Sequence, residues 1–103
     1  MEVMHIGVPV KESKPGESYA EGLKVHIAGP DTNPMKFEYL RFEEGTPMHK
    51  DIVNNVHIAY KVEKIAPYLE QYEVLEQPMT VDETLTIAFV KIDDTVCELM
   101  EFK

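Results

Sequence analysis

A near repetition constrains this chain more than any other feature: Val56 to Val62 reads VHIAYKV, and Met4 to Val10 reads MHIGVPV. A second echo follows each copy, FEYLRF at Phe37 to Phe42 and CELMEF at Cys97 to Phe102, with an acidic residue second in both. The order His then Glu therefore occurs twice, as His5 and Glu38 and as His57 and Glu98. Two copies of one unit point to two similar halves. The interval from His5 to Glu38 is shorter than that from His57 to Glu98, which makes the first half the trimmed one.

At 103 residues the chain is long enough for one independent core, whereas halves of about fifty residues are marginal alone and need each other. We read residues 1–103 as a single domain, with a first module over about 1–50 and a second over about 55–103. A hydrophobic fraction of 44% with 28% charged residues places the chain among folded proteins rather than disordered ones. Nineteen acidic against ten basic residues give a net charge of -9, which opposes binding to nucleic acid or to an anionic membrane surface. No apolar run approaches the length of a membrane span, and the start MEVMHIGV lacks the basic and apolar regions of a signal peptide. The expected compartment is the cytosol, and the single cysteine, Cys97, which excludes an internal disulfide framework, agrees with it.

Alternation along Val3 to Val10 predicts a strand with His5 and Gly7 on one face and Met4, Ile6 and Val8 on the other. Lys11 to Gly22 has two glycines, a proline and no amphipathic period, and reads as a loop. Leu23 to Ala28 and Met35 to Glu43 read as further strands, the latter with Phe37, Tyr39 and Arg41 opposite Glu38, Leu40 and Phe42. Glu44 to Asn55 is polar, contains Gly45 and Pro47, and reads as the linker between the halves. The second half reads β, α, β, β, β: a strand at Val56 to Val62, a short helix within Glu63 to Tyr72 limited by Pro67, then strands at Glu73 to Gln77, Leu85 to Ile92 and Val96 to Phe102. Asp93-Asp94 is placed as a hairpin turn.

The motifs HIGVPV, HIAYKV, FEYLRF and CELMEF, in that strand order, resemble the vicinal oxygen chelate superfamily, which includes glyoxalase I, methylmalonyl-CoA epimerase, extradiol dioxygenases and bleomycin-resistance proteins. The likeness covers nearly the whole chain and is nearest to small bacterial glyoxalase-like proteins with a shortened first module. It implies an α+β fold of two paired βαβββ-type modules whose curved mixed sheet encloses a cleft, with the first module lacking its helix. It also implies a metal held by His5 and Glu38 from the first half and His57 and Glu98 from the second. Two imidazoles and two carboxylates suit a divalent ion such as Zn, Ni, Co, Mn or Fe(II) without naming which. Two His with a single carboxylate would instead match the triad of non-haem iron oxygenases.

The resemblance implies isomerase, epimerase or lyase chemistry on a small oxygenated carbonyl compound, with Glu38 or Glu98 as the base. The alternatives are a resistance-type protein that binds a small molecule without chemistry, and a small structural subunit. Lys61, Tyr39 and Arg41 are secondary candidates for orienting a carboxylate. His26, where the VHIA of Val56 to Ala59 recurs, lacks a matching Glu and reads as a strand histidine, and His49 reads as an exposed linker residue. Cys97 reads as a buried apolar side chain, Met48, Met79 and Met100 as core filling, and Glu12, Glu17, Glu43 and Glu44 as solvated surface. Without a covering helix, the sheet face of Ile6, Val8, Phe37 and Tyr39 is a surface that a homodimer would bury.

Overall fold

The structure, a computed structural model, describes all 103 residues. Its strands are β1 (Glu2–Pro9), β2 (Ser18–Ala20), β3 (Val25–Ala28), β4 (Phe37–Phe42), β5 (His57–Val62), β6 (Glu73–Thr80), β7 (Leu85–Ile92) and β8 (Thr95–Phe102). Its helices are α1 (Lys50–Asn54) and α2 (Ala66–Gln71), and neither is long and apolar enough to cross a membrane. All eight strands form one mixed sheet, in the order β2-β3-β4-β1-β5-β8-β7-β6, which curls into a half-barrel. The centre of the sheet is the antiparallel pair β1 and β5. On either side of it the first strand of a half lies parallel to the last, β1 to β4 and β5 to β8, and the two middle strands continue outward antiparallel.

Period-two alternation divides the sheet into an inner, concave face and an outer face. In the second half the inner face packs Ile87, Phe89, Val96 and Met100 with Ala59 and Leu75, and α1 inserts Ile52, which is 1% exposed, into this cluster. The outer face there carries Val62, Ala88, Val90, Cys97 and Leu99, covered by α2 through Ile65, Tyr68 and Leu69. Pro67 stands in the first turn of α2, where its missing N–H costs nothing, and Tyr72 caps the end of the helix at the surface.

Three local expectations change. Lys11 to Gly22 is not wholly loop, because Ser18–Ala20 pairs with β3 and supplies the fourth strand of the first half. Glu44 to Asn55 is not a plain linker: His49 caps α1 by accepting the Asp51 N–H on its Nδ1, and the His49 N–H donates to Glu76 at 2.8 Å. A five-residue helix with one anchoring isoleucine shows no period, so only its burial makes it visible. Strand β6 runs through Pro78, which the ladder tolerates because β6 is an edge strand with an irregular register.

The outer face of the first half is not bare. No α-helix lies between β1 and β4. In its place the segment before β2 lies over the sheet: Arg41 donates two hydrogen bonds to Glu17, at 2.7 and 3.0 Å, and Lys14 sits 5.1 Å from the centre of the Tyr39 ring. Ile6, Val8, Phe37 and Tyr39 are half-buried, and Ala28 on the same face is fully buried. Glu17 is therefore an ion-pair partner rather than solvated surface, and the Arg41 hydrogen bonds hold its carboxyl down at about 2.

Asp93 and Asp94 form the β7–β8 turn with φ of 49° and 65°, the left-handed pair of a tight hairpin, in which glycine is favoured at the second position. Asp94→Gly should therefore stabilise the fold by about 1 kcal/mol, read as a higher urea midpoint with an unchanged slope.

Candidate metal centre

Four adjacent central strands each contribute one polar side chain to the inner face: Glu38 from β4, His5 from β1, His57 from β5 and Glu98 from β8. One donor atom from each lies within 4.8 Å of all the others. His5 Nε2 donates to Glu98 Oε1 at 3.1 Å, and His57 Nε2 donates to the same oxygen at 3.0 Å. Glu38 Oε1 lies 3.3 Å from His5 Nε2. His5, His57 and Glu98 are buried at 4%, 1% and 6% exposure, whereas the Glu38 side chain keeps 19% and is the most accessible of the four.

Register explains the convergence. Gly7 pairs with Glu38 on one side and His57 on the other, and Ala59 pairs with His5 on one side and Glu98 on the other. Each histidine is thus followed two positions later, on the same face, by a residue small enough to leave room for its neighbours' side chains. At Gly7 the fit is absolute: a Cβ there would lie 2.1 Å from His57 Cε1. The signal was present in the repeats as HIG and HIA, and sequence reasoning missed its meaning. His26 shares it, in HIA, but stands on the outer face opposite Arg41, where it contacts Glu43 at 3.2 Å and stacks on Tyr19. Glu43 is accordingly tied to both Tyr19 and His26.

The environment tunes the four groups. Burial raises the pKa of Glu38, and the nearby Glu98 charge adds to this against the opposing pull of His5. Burial acts against ionisation of Glu98 too, but hydrogen bonds from His5 and His57 outweigh it and hold this carboxyl below its ordinary value. For His5, burial disfavours the cation, yet the Glu98 hydrogen bond and the charges of Glu98 and Glu38 prevail and raise its pKa.

Two imidazoles and two carboxylates this close form a donor set that fits a divalent first-row ion. One atom fits less well. His57 Nδ1 is buried without a hydrogen-bond partner, so ligation through Nε2 would place the ring proton on Nδ1 with no acceptor. Phe89 meets the His57 ring edge-on at 5.2 Å and encloses it on that side of the cleft.

A cavity of about 250 Å³ opens above the four residues, between the two halves of the curl. Its other lining residues are all apolar, with Leu40 and Phe42 from the first half, Ile87, Phe89 and Met100 from the second, and Met48 and Ile52 from the connection. Lys61, Tyr39 and Arg41 do not line it: Lys61 lies over the Phe102 ring, and Tyr39 and Arg41 are on the outer face. Cys97 packs in the outer core, opposite Glu98.

Gly7→Ala should displace the His57 ring and cost about 1–3 kcal/mol, the range for overpacking a filled site. Urea denaturation, with the His57 imidazole proton shifts followed in parallel, checks both. Because the raised pKa of His5 keeps a proton on the site that an ion must displace, metal affinity should rise as pH rises through and above the ordinary histidine range. Calorimetry in buffers of different ionisation enthalpy should register the released proton.

No family model and no curated protein matches the sequence. Among solved structures, the chain is similar to a hypothetical protein of Bacillus halodurans C-125, with a TM-score of 0.72 and 20% identity over 99% of this chain and 94% of that one. That similarity is one of fold, across the full length of the half-barrel.

Proposed function

We propose that this chain is a glyoxalase-like metalloprotein of the vicinal oxygen chelate type, built from two paired βαβββ-type modules of which the first has lost its helix. It would act as a divalent-metal-assisted isomerase, epimerase or lyase on a small oxygenated carbonyl compound. The observation that carries this reading is the convergence of one His or Glu from each of four adjacent strands at the floor of an apolar cavity. The repeated strand order on both sides of the β1–β5 pair supports the two-module reading.

His5, Glu38, His57 and Glu98 would hold the ion, whose bound charge would stabilise negative charge developing on two neighbouring substrate oxygens. The two carboxylates are not equivalent. Glu98 Oε1 lies against the Nε2 atoms of both histidines and is sealed in, so its part would be that of a fixed ligand beside them, the ion taking the place of the shared protons. Glu38 has one imidazole contact and the greater exposure toward the cavity, so Glu38 Oε1 is the better placed to accept an α-proton. The apolar walls exclude water from that transfer.

A second reading, a binding protein without chemistry, is favoured by one observation: outside the four site residues the cavity offers no polar side chain to orient a substrate. Metal content separates the two. Protein purified without chelator should carry roughly one ion per chain, lost in His57→Ala and in Glu98→Gln. Wild-type protein that is empty and refuses added Zn, Ni, Co, Mn or Fe(II) would sink the metalloprotein reading in favour of the second.

A further inference from the structure

The cavity lining limits which molecules can enter. All four of its polar lining residues belong to the site, and the remaining thirteen are hydrophobic. None of the ten cations of the chain lines it. Arg41 is held by Glu17, Lys14 lies over Tyr39, Lys61 over Phe102, and Lys91 pairs with Asp51 at 3.3 Å, all outside the cavity. Lys24 falls between two lining residues, but its Nζ lies close to Gly45, and its charge acts on Glu43. Acidic residues flank the lining: Glu21 follows Ala20, and Asp82 and Glu83 follow Val81.

Charge bookkeeping leads to a specificity. With an ion bound, Glu38 and Glu98 would together supply two negative charges that cancel a divalent ion's own, leaving no surplus positive charge for an anionic group. A carboxylate or phosphate on the body of a ligand would leave water for an apolar wall with no counter-ion. An apolar body meets aliphatic, methionine and phenylalanine side chains and is favoured. Volume sets the size, since about 250 Å³ accommodates on the order of ten non-hydrogen atoms.

Resting on the metal-site reading for its oxygen-binding end, we propose that the cavity takes an uncharged ligand with two adjacent oxygens and a compact apolar body, and rejects anionic substrates. Thioesters on phosphorylated carriers, phosphorylated sugars and dicarboxylates are excluded on this ground. Aryl or short alkyl compounds bearing a vicinal diol, hydroxyketone or diketone fit it.

The test uses two probes that share a catechol and differ at one position, 4-methylcatechol and 3,4-dihydroxybenzoate. Both are titrated by calorimetry into zinc-loaded and metal-free protein. The methyl compound should bind at least about tenfold more tightly than the carboxylate in both forms, since the walls and not the ion reject the charge. Leu85→Lys, a substitution at a half-buried lining position, should narrow or reverse that ratio. Equal or tighter binding of 3,4-dihydroxybenzoate, an unchanged ratio in folded Leu85→Lys, or no binding of 4-methylcatechol to either form would overturn the proposal. Zinc that changes neither affinity while the preference persists would instead overturn the metal-site reading and leave the specificity standing.

Discussion

A single buried oxygen, Glu98 Oε1, holds the centre of this molecule together by accepting hydrogen bonds from both His5 and His57. A carboxylate sealed away from water is costly unless its charge is met by donors. Here the donors come from two different strands, and those strands must lie side by side next to β8 for both to reach. The antiparallel β1–β5 pair and the parallel β5–β8 pair meet that requirement, and a one-residue slip in either would turn His5, His57 or Glu98 to the opposite face. Removing the Glu98 carboxylate would strand two buried imidazoles, so the strand order and the site support one another.

Around that oxygen the inner face separates into a polar floor and apolar walls. The floor is possible because Gly7 and Ala59 give up side-chain volume where four larger groups crowd together. The walls lower the local dielectric, which strengthens the attractions among the floor groups and would also sharpen the influence of an ion held there. Such a surround explains how two carboxylates a few ångströms apart can differ so much, Glu98 held ionised by its two imidazoles and Glu38 pushed toward its neutral form.

The outer face shows that one sheet can be covered in two ways. In the second half, α2 buries an apolar patch with Ile65, Tyr68 and Leu69. In the first half, the segment carrying Lys14 and Glu17 does so with an ion pair and a cation over a ring. The first cover rests on hydrophobic area and the second on geometry and charge, which salt screens more readily. Ile6 and Val8, on the sheet face expected from the missing helix to lie open, are half-buried.

Period-two alternation is a local property of the chain, so the sequence was enough to place His5 with Gly7 on one face, Glu38 opposite Phe37 and Tyr39, and Cys97 opposite Glu98. The twice-written His and Glu likewise named the four residues that meet. Other features depend on contacts between distant segments, and no local pattern carries them. The VHIA at Val25 to Ala28 matches the VHIA at Val56 to Ala59 letter for letter, and the two part in which face of the curl the histidine meets, which the register of β3 against β4 decides. Ser18–Ala20 is a strand because β3 offers it an edge, and Lys50–Asn54 a helix because Ile52 finds a core. Lys61 shares the His57 face by alternation, yet it stays out of the cavity because it lies over the Phe102 ring. Alternation and repetition act over a few residues and are legible in one dimension, whereas strand order, register and curl are set by pairings across the whole chain, and these alone turned four separated residues into one site.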